Sequence, residues 1–590
     1  MTKLIKYLKP VILDLLLGIL FIAGQAYLDL QIPAQFVPLA ELQGMGMEAG
    51  MQATMKIILK MLGLALASVA CSVLAAYFTS NAGAKFGARL RKEMFYKVQN
   101  LSVQDVEKFS IASLITRTTN DVQQIQMLIS AGMRIIVMAP VMIVGGLLNS
   151  LALQKDFSII FIVAIPLLLI SVLIIGAVAA KMFGTVQRKV DALTGVAREG
   201  LTGVRVIRAF NQQEYEFEKY SKANGEVRDI STRVNRVMAS LFPVCSLVMN
   251  MTLMGIVVVS TVIFNGMSSP DLGTLQANIG ATSAVVGYSM QILGSIVGLS
   301  FVFMMIPRAQ ASASRINEVL DTPLSVADPA NPVDLSQTEQ KGLIEFRDVS
   351  FSYANAEKPI LNHISFVSLP GQTTAIIGST GSGKSTVASL IPRFFDPQEG
   401  EVLLDGVNVK NMTQRDLRDR IGFVPQSAVL FSGSVRENLQ YGNPSATDEQ
   451  LLAATDIAQA TEFVMNTSDG LDHFISQGGK NLSGGQKQRL AIARAVVKQP
   501  EIYVFDDSFS ALDFKTDAAL RKALREQTQR TGSSVIIIAQ RVSTVMDADQ
   551  IIVLEEGNMV GIGKHQDLMK NCEEYREIVL SQINEEEANV

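Results

Sequence analysis

The residues with the clearest chemical potential form one glycine-rich stretch, Gly378-Ser379-Thr380-Gly381-Ser382-Gly383-Lys384-Ser385-Thr386. It follows a short apolar run, residues 374–377, and precedes a helix-like run, residues 386–391. A strand, a glycine-rich turn and a helix N-terminus together are typical of a phosphate-binding loop. Backbone N–H groups would converge on phosphate oxygens, Lys384 would reach the β- and γ-phosphates, and the Ser385 hydroxyl would bind Mg²⁺. The alternative is a glycine-rich turn that binds no ligand, but such a turn would not need a strand before it and a helix after it. The stretch therefore predicts a nucleoside triphosphate site.

Four more patterns occur in the same half of the chain. Tyr353 ends a strand-like stretch and could stack on a base, and Gln426 directly follows a strand end. The segment 482–486 opens a helix in which Ser483 and Gln486 have capping-box spacing. This segment is either a capped helix only or an anion site at an open helix N-terminus.

The fourth pattern is a pair of carboxylates after a buried strand. Residues 502–505 are apolar and are followed by Asp506 and Asp507, and Asp513 comes a few residues later. By its position, Asp506 is a candidate to hold Mg²⁺ near the glycine-rich stretch. The three cysteines are far apart and the histidines are single, so neither predicts a disulfide framework or a metal cluster.

The first half of the chain is too apolar for a soluble protein. The whole chain has 48% hydrophobic and 18% charged residues, and the apolar excess lies before residue 320. Since about 20 apolar residues span a bilayer, we predict six transmembrane helices. Their apolar cores are residues 11–32, 56–78, 133–153, 157–180, 241–264 and 279–307.

The segments between these spans alternate in charge. Residues 81–120 and 181–236 are long and basic, whereas 43–52, 150–156 and 265–271 are short and nearly free of Lys and Arg. The positive-inside rule then places the long segments, both termini and the nucleotide site in the cytoplasm. Helical periodicity continues through both long segments, with polar tips at 102–110 and 211–217 that are candidate contact points for the nucleotide-binding half.

Four charged residues interrupt the apolar spans, namely Asp14, Asp29, Lys60 and Arg134. A charge inside a bilayer is costly, so such residues usually face a cavity or a partner. The alternative for each is a position near a helix end, from which the side chain reaches the interface.

A polar, proline-containing stretch separates the two halves. We predict a transmembrane domain at 1–320, a linker at 321–342 and a nucleotide-binding domain at 343–590, in which β-rich and helical stretches alternate. The expected fold class is a six-helix, all-α membrane domain fused to an α/β P-loop domain. The net charge of −4 gives no indication of a nucleic-acid partner.

In this order, the motifs resemble those of the ATP-binding cassette (ABC) transporters, and the resemblance covers essentially the whole chain. Six spans followed by one cassette is the half-transporter layout of the ABC exporters. The resemblance implies that Tyr353 stacks on adenine, that 378–386 is the Walker A loop, and that Gln426 is the Q-loop glutamine beside Mg²⁺. It further implies that Ser483-Gly484-Gly485-Gln486 is the signature motif, Asp506 the Walker B aspartate and Asp513 the D-loop aspartate. The tips at 102–110 and 211–217 match the coupling helices.

Two catalytic positions depart from the family pattern. Asp507 replaces the glutamate that polarises the attacking water, and Gln540 replaces the switch-loop histidine. Both changes affect the ATP site built on Lys384, while Ser483 and its motif, which in this family serve the partner's ATP, are intact. A segment Ser476-Gln477-Gly478-Gly479-Lys480 also replaces the usual acidic loop. This asymmetry resembles heterodimeric ABC exporters of the multidrug type.

The resulting hypothesis is one half of a heterodimeric exporter in the cytoplasmic membrane that uses ATP and Mg²⁺. Its partner would be a second half-transporter, and its substrate an amphipathic drug-like molecule, lipid or peptide. A homodimeric exporter and a nucleotide-gated channel or regulatory subunit are the two alternatives.

Overall fold

The computed structural model describes residues 2–42, 47–265, 272–333, 341–353, 356 and 358–583. The chain forms two compact units, one built from residues 1–99 and 111–322 and the other from 100–110 and 323–590. Residues 43–46 and 266–271 of the predicted short segments, and residues 334–340 of the predicted linker, lie outside the described residues.

The described residues of the first unit form helices and the turns that join them. A 3₁₀-helix, Thr2–Val11, leads into α1 (Ile12–Ala34), α2 (Phe36–Glu41) and α3 (Met47–Asn100). After the second unit's α4 (Val103–Phe109), the chain continues through α5 (Ile111–Thr116), α6 (Val122–Met127) and α7 (Met133–Leu153), which are joined by π-helical turns. The remaining helices are α8 (Ser158–Thr202), α9 (Val204–Ala209), α10 (Gln213–Ala239), α11 (Leu241–Asn265) and α12 (Leu272–Asp321).

Six helical segments in the described residues are long and apolar enough to cross a bilayer. Each contains one of the six predicted apolar cores, so that prediction is confirmed. Large apolar side chains point outward from these helices: Leu13 is 70% exposed, Leu66 63% and Ile162 68%. Such exposure of apolar surface is expected where lipid, rather than water, is the solvent.

The long helices extend well beyond a bilayer, as the periodicity predicts. α3 has 54 residues, which at about 1.5 Å per residue spans about 80 Å, against a hydrocarbon core of about 30 Å. The first polar tip, 102–110, contains helix α4 as expected. At the second tip the short helix, α9, lies before the turn, and Asn211 makes the turn with a φ of 52°. Asparagine tolerates this left-handed conformation better than most residues.

The second unit is an α/β domain. Its strands are β1 (Ile344–Phe351), β2 (Leu361–Ser368), β3 (Thr373–Gly378), β4 (Glu399–Leu404), β5 (Val407–Asn408), β6 (Ile421–Val424), β7 (Gly433–Ser434), β8 (Phe474–Ile475), β9 (Ile502–Asp506), β10 (Ser534–Ile538), β11 (Gln550–Glu555) and β12 (Asn558–Gly563). Its helices after α4 are α13 (Lys384–Leu390), α14 (Gln414–Asp419), α15 (Val435–Gln440), α16 (Asp448–Ile457), α17 (Thr461–Met465), α18 (Gly484–Val497), α19 (Phe514–Thr531), α20 (Val542–Val545), α21 (His565–Asn571) and α22 (Glu573–Leu580).

The central sheet positions the candidate site. Its strand order is β12-β11-β3-β10-β9-β6, with β12 antiparallel to β11 and the other neighbours parallel. Ala375, Ile376 and Ile377 of β3 are fully buried between helices on both faces, as expected for a parallel strand. Because parallel strands end at the same edge of a sheet, the residues after β3, β6, β9 and β10 converge there. An antiparallel sheet of order β2-β1-β4-β5 and a two-stranded sheet of β7 and β8 complete the sheets of the described residues.

Candidate nucleotide-binding site

The glycine-rich stretch forms a loop between β3 and α13. Gly381 and Gly383 have φ angles of 87° and 95°, which side-chain-bearing residues rarely adopt. A Cβ at Gly378 would collide with the Leu554 carbonyl, so this position also requires glycine. These glycines expose the backbone N–H groups of the loop at the N-terminus of α13, an arrangement that suits a phosphate. Thr380 lies on the exposed part of this loop.

Lys384 folds back over the loop. Its Nζ donates to the carbonyl oxygens of Gly378 and Ser379 at 2.9 and 2.6 Å, and lies 3.4 Å from the Oγ of the buried Ser382. Burial lowers the pKa of Lys384 below its ordinary value, although the nearby Asp507 and Asp506 oppose this shift. A buried ammonium held by neutral carbonyl and hydroxyl groups is suited to exchange them for phosphate oxygens.

Ser385 and Asp506 form a direct pair at the start of α13 and the end of β9. The Ser385 Oγ donates to Asp506 Oδ1 over 2.8 Å. Burial raises the pKa of Asp506, and the hydrogen bond from Ser385 opposes this shift. The described residues contain no group of three or more His, Cys, Asp or Glu side chains that could hold a metal by themselves. Two adjacent oxygens beside a phosphate loop fit Mg²⁺, which takes few protein ligands and completes its octahedron with water and phosphate oxygens.

Asp507 lies at the centre of a polar cluster that sequence spacing alone does not reveal. Its Oδ2 accepts a hydrogen bond from Gln540 Nε2 at 3.0 Å and another from Gln426 Nε2 at 3.3 Å. The residue has a φ of 47° and is 9% exposed. Burial raises the pKa of its carboxyl group, and the hydrogen bond from Gln426 opposes this shift. The predicted catalytic pair, Asp507 and Gln540, is therefore in contact, with Gln426 on the same carboxylate oxygen.

Two residues that were not predicted from the sequence fix the segment around Gln540. Gln582, near the C-terminus, donates from Nε2 to the Gln540 carbonyl at 2.8 Å and accepts from the Val542 N–H at 2.9 Å. Arg541 donates to the carbonyl oxygens of Ser510 and Leu512. No local motif could indicate Gln582, since it acts on the main chain of a segment about forty residues away. Arg541 directly follows the switch position, which is the signal that could have identified it.

The signature residues lie at the exposed N-terminus of α18. Ser483 and Gln486 form the expected capping box: Ser483 Oγ accepts from the Gln486 N–H at 3.3 Å, and Gln486 Oε1 accepts from the Ser483 N–H at 2.9 Å. Gly484 has nothing within 4 Å of a notional Cβ, so its backbone is open, whereas Gly485 approaches the Ala511 carbonyl.

Asp513 caps the helix that follows the two carboxylates. Its Oδ1 accepts from the Thr516 N–H at 3.0 Å at the start of α19, and this backbone hydrogen bond lowers the pKa of Asp513. The structure therefore gives Asp513 a helix-capping contact.

Tyr353 is half-buried beside the glycine-rich loop. Its ring packs edge-on against Phe351 and Phe395, with centroids 5.0 and 5.4 Å away, and its hydroxyl lies 3.2 Å from Thr386 Oγ1. The ring is therefore held next to the Walker A helix, a position compatible with stacking on a base.

A bilayer-spanning domain of six long helices fused to a P-loop α/β domain with a second, exposed helix N-terminus defines the class of ATP-driven membrane transporters. Two family models match the chain: the ABC transporter transmembrane region over residues 15–286 and the ABC transporter domain over residues 361–510. The chain belongs to the ABC transporters, as its motifs predict.

Known relatives agree with this assignment. The chain is 38% identical to an uncharacterized ABC transporter ATP-binding protein of Mycobacterium tuberculosis over 88% of both chains. It is 30% identical to a multidrug resistance ABC transporter ATP-binding and permease protein of Lactococcus lactis, over 98% of this chain and 95% of the relative. The structure of a bacterial Atm1-family ABC exporter with ATP bound matches with a TM-score of 0.78 at 25% identity, over 98% of this chain and 99% of the other.

Proposed function

We propose that this chain is one half of a heterodimeric ABC exporter of the cytoplasmic membrane, and that its own ATP site is degenerate. The ABC family, the exporter fold and ATP binding by the cassette form the starting point. The proposal adds a distinct second half-transporter, an impaired site on Lys384 and a cytoplasmic position for the nucleotide-binding unit.

The environment of Asp507 is the observation that carries this proposal. A general base must offer a lone pair to the attacking water, and the amide hydrogen bonds from Gln540 and Gln426 occupy Oδ2 of Asp507, which leaves this role to Oδ1 alone. Asp is also one methylene shorter than Glu, and a displacement of about 1 Å can cost about 100-fold in rate. Gln540 cannot take up or release a proton as an imidazole can. Both substitutions weaken the same step at the same site.

The other binding elements of this site are complete, which supports tight binding of Mg-ATP without rapid hydrolysis. Lys384 and the glycine-rich loop would hold the phosphates, and Tyr353 the base. Ser385 and Asp506, whose oxygens are 2.8 Å apart, would hold Mg²⁺ together with Gln426. ATP retained here would keep the two cassettes associated while the other site turns over.

The open end of α18 supports a productive role for this chain at the partner's ATP. The capping box occupies the N–H groups of Ser483 and Gln486, so the N–H groups left for an anion at this exposed helix N-terminus are those of Gly484 and Gly485. Such donors stabilise the charge that develops on a transferring phosphoryl group. We therefore infer that hydrolysis occurs mainly at the site that this signature motif completes with the partner.

One relative supports the proposed substrate class. A multidrug resistance protein of Lactococcus lactis aligns over nearly the whole chain. The proposed substrates are amphipathic drug-like molecules, lipids or peptides, exported from the cytoplasmic side.

Nucleotide content after turnover tests this proposal. The chain is purified with the half-transporter that co-purifies with it, supplied with radiolabelled Mg-ATP, and separated rapidly from free nucleotide. We expect about one intact ATP per pair of cassettes to remain bound. Recovery of ADP alone would show that both sites hydrolyse.

Two further measurements separate the alternatives. The chain purified alone should have very low ATPase activity, so robust hydrolysis that drugs stimulate would instead indicate a homodimeric exporter. ATP-dependent accumulation of substrate against a gradient in inverted vesicles is expected of a pump. A nucleotide-gated channel would only equilibrate the substrate.

A further inference from the structure

A set of polar side chains lies within the apolar runs of four spanning segments of the first unit. We call this set the membrane polar centre; its members are Gln25, Asp29, Ser68, Ser72, Arg134 and Gln291. They come from α1, α3, α7 and α12. Polar groups at this depth are costly unless they find partners, so each hydrogen bond here matters.

The acidic member of the centre is well satisfied. Ser68 Oγ donates to Asp29 Oδ1 at 2.5 Å, and Gln25 Nε2 donates to Asp29 Oδ2 at 3.5 Å. Both carboxylate oxygens therefore have a protein donor. Asp29 does not require a ligand.

The basic member is not satisfied in the same way. One terminal nitrogen of Arg134 donates to Ser72 Oγ at 2.9 Å and to Gln25 Oε1 at 3.4 Å. Among the described residues these are its only hydrogen bonds, and no carboxylate lies within 4 Å of it. A guanidinium group has five N–H donors, and Arg134 is only half-buried. Several donors of a charged group inside the bilayer are thus left for another molecule.

The second unsatisfied polar group of the centre, after Arg134, is the side-chain oxygen of Gln291. Pro33 of α1 has no N–H, so the main-chain carbonyl of Asp29 lacks its helical partner. Gln291 Nε2 replaces that donor at 2.9 Å. The amide is therefore fixed in orientation, and its Oε1 is buried without a hydrogen-bond partner among the described residues. A buried polar atom of this kind calls for a donor, from water or from a ligand.

We propose that the membrane polar centre binds the polar group of the transported amphiphile, with Arg134 as the recognition residue. The ligand would carry a hydrogen-bond acceptor such as a carboxylate or phosphate, and Gln291 Oε1 would accept from a hydroxyl or N–H beside it. This inference rests on the proposed export of amphipathic compounds. It adds to it a preference for molecules with an anionic polar end.

The energetic basis is the pairing of Arg134 with an oxyanion. A guanidinium binds a carboxylate or phosphate through two parallel hydrogen bonds, whereas it binds an ester carbonyl through one uncharged acceptor. The second hydrogen bond and the attraction between the opposite charges together should give the carboxylate roughly a tenfold higher affinity than the ester. Loss of the guanidinium should therefore abolish discrimination between the two ligands.

The test uses the assembled transporter in phosphatidylcholine nanodiscs and two matched probes. One is 11-(dansylamino)undecanoic acid, and the other is its methyl ester, with the same chain and fluorophore. Binding is followed by dansyl fluorescence for the wild type, Arg134→Gln, Arg134→Lys and Lys60→Gln. Lys60 is the control because it is an exposed cation in the apolar run of α3, outside the polar centre.

We expect the wild type and Lys60→Gln to bind the acid about tenfold more tightly than the ester. Arg134→Gln should bind both probes equally, and Arg134→Lys should keep part of the preference. If the wild type shows no preference, or if Arg134→Gln retains it, the proposal is wrong. An equal loss of both probes in the Arg134 variants would show that Arg134 only supports the fold.

Two additional arms complete the design. Anionic phosphatidylglycerol added to the nanodiscs should leave acid binding unchanged for a transported ligand, whereas strong competition would assign the site to a resident lipid and overturn the transport role. ATP-driven uptake of the ester into inverted vesicles tests the exporter function separately. Intact uptake without any charge preference would reject this inference and leave the exporter proposal standing.

Discussion

Replacing Asp507 and replacing Ser483 should have very different effects on ATP hydrolysis. Asp507→Asn preserves shape and backbone conformation, because asparagine tolerates the φ of 47° as well as aspartate does. The Asn side-chain oxygen can take the place of Oδ2 and accept from both Gln540 and Gln426. We therefore expect turnover of the assembled transporter to fall by less than about tenfold, well short of the roughly 10²–10⁴-fold loss of a working general base.

Ser483→Arg should remove most activity. The substitution deletes the acceptor of the Gln486 N–H and places a long side chain where the partner's γ-phosphate would approach α18. Loss of one preorganised oxyanion donor typically costs about 10²–10³-fold, and the expected decrease is at least that large. The lost cap alone should cost only about 1 kcal/mol of stability, so the domain should remain folded.

Thr447→Arg is a matched control for that change. Thr447 and Gln450 form the same type of capping box at the start of α16, with a glutamine at the same position, and Thr447 is exposed. The variant should lose the same capping energy while keeping wild-type turnover. Equal losses in Ser483→Arg and Thr447→Arg would mean that the effect is on stability and not on the ATP site.

The assay is steady-state ATPase activity of the co-purified pair at saturating Mg-ATP, with each single substitution in this chain. The decisive comparison is between Asp507→Asn and Ser483→Arg. If Asp507→Asn is as damaging as Ser483→Arg, the two ATP sites are equivalent and the asymmetric arrangement is incorrect.

Three further predictions follow from the site. Asp507→Glu combined with Gln540→His should raise ATP hydrolysis by the chain purified alone by roughly 100-fold, because a base and a proton-transferring imidazole are restored; an unchanged rate would mean that other features impair the site. Asp506→Asn should make ATP retention insensitive to chelation of Mg²⁺, since the carboxylate that pairs with Ser385 is gone. The control is the wild type, which should lose bound ATP when EDTA is added. A variant that remains EDTA-sensitive would contradict a role for Asp506 in holding Mg²⁺. Gln582→Ala should destabilise the nucleotide-binding unit by about 0.5–1.5 kcal/mol, since it removes two hydrogen bonds to the segment 540–542. The temperature at which half of the full-length chain no longer binds a fluorescent ATP analogue should therefore fall. An unchanged temperature would exclude this stabilising role of Gln582.

Much of the fold can be predicted from the sequence because the signals are local. Uninterrupted apolar runs define the six spans, and a strand–glycine–helix pattern places Lys384 and Ser385 at the phosphate loop. The pairing of Ser385 with Asp506 is also predictable, since both follow strands that are parallel in a P-loop domain. The unit to which a segment belongs is not a local property of the sequence. Residues 100–110 lie between two spans in the sequence, yet they belong to the second unit.

The finer structure of the site could not be predicted because it depends on long-range contacts. The sequence identifies Asp507 and Gln540 as unusual but does not reveal that both Gln540 and Gln426 donate to a single carboxylate oxygen. Gln582 has no motif at all. In the membrane unit, the sequence marks Asp29 and Arg134 as costly charges. It does not reveal that the Gln291 amide donates to the Asp29 carbonyl in place of the N–H that Pro33 lacks, because this contact requires two helices to be in register.

The origin of helix α4 has a consequence for dissection of the molecule. Asp105 of α4 accepts hydrogen bonds from Ser102 and, across more than two hundred residues of chain, from the N–H and hydroxyl of Ser325. A cassette expressed from Pro323 onward would lack this carboxylate and would leave a surface that the intact chain covers. Truncation at the apparent domain boundary thus removes part of the second unit. The chain also passes between the two units three times, at 99/100, 110/111 and 322/323, so proteolytic release of the whole second unit, with α4, requires three cuts.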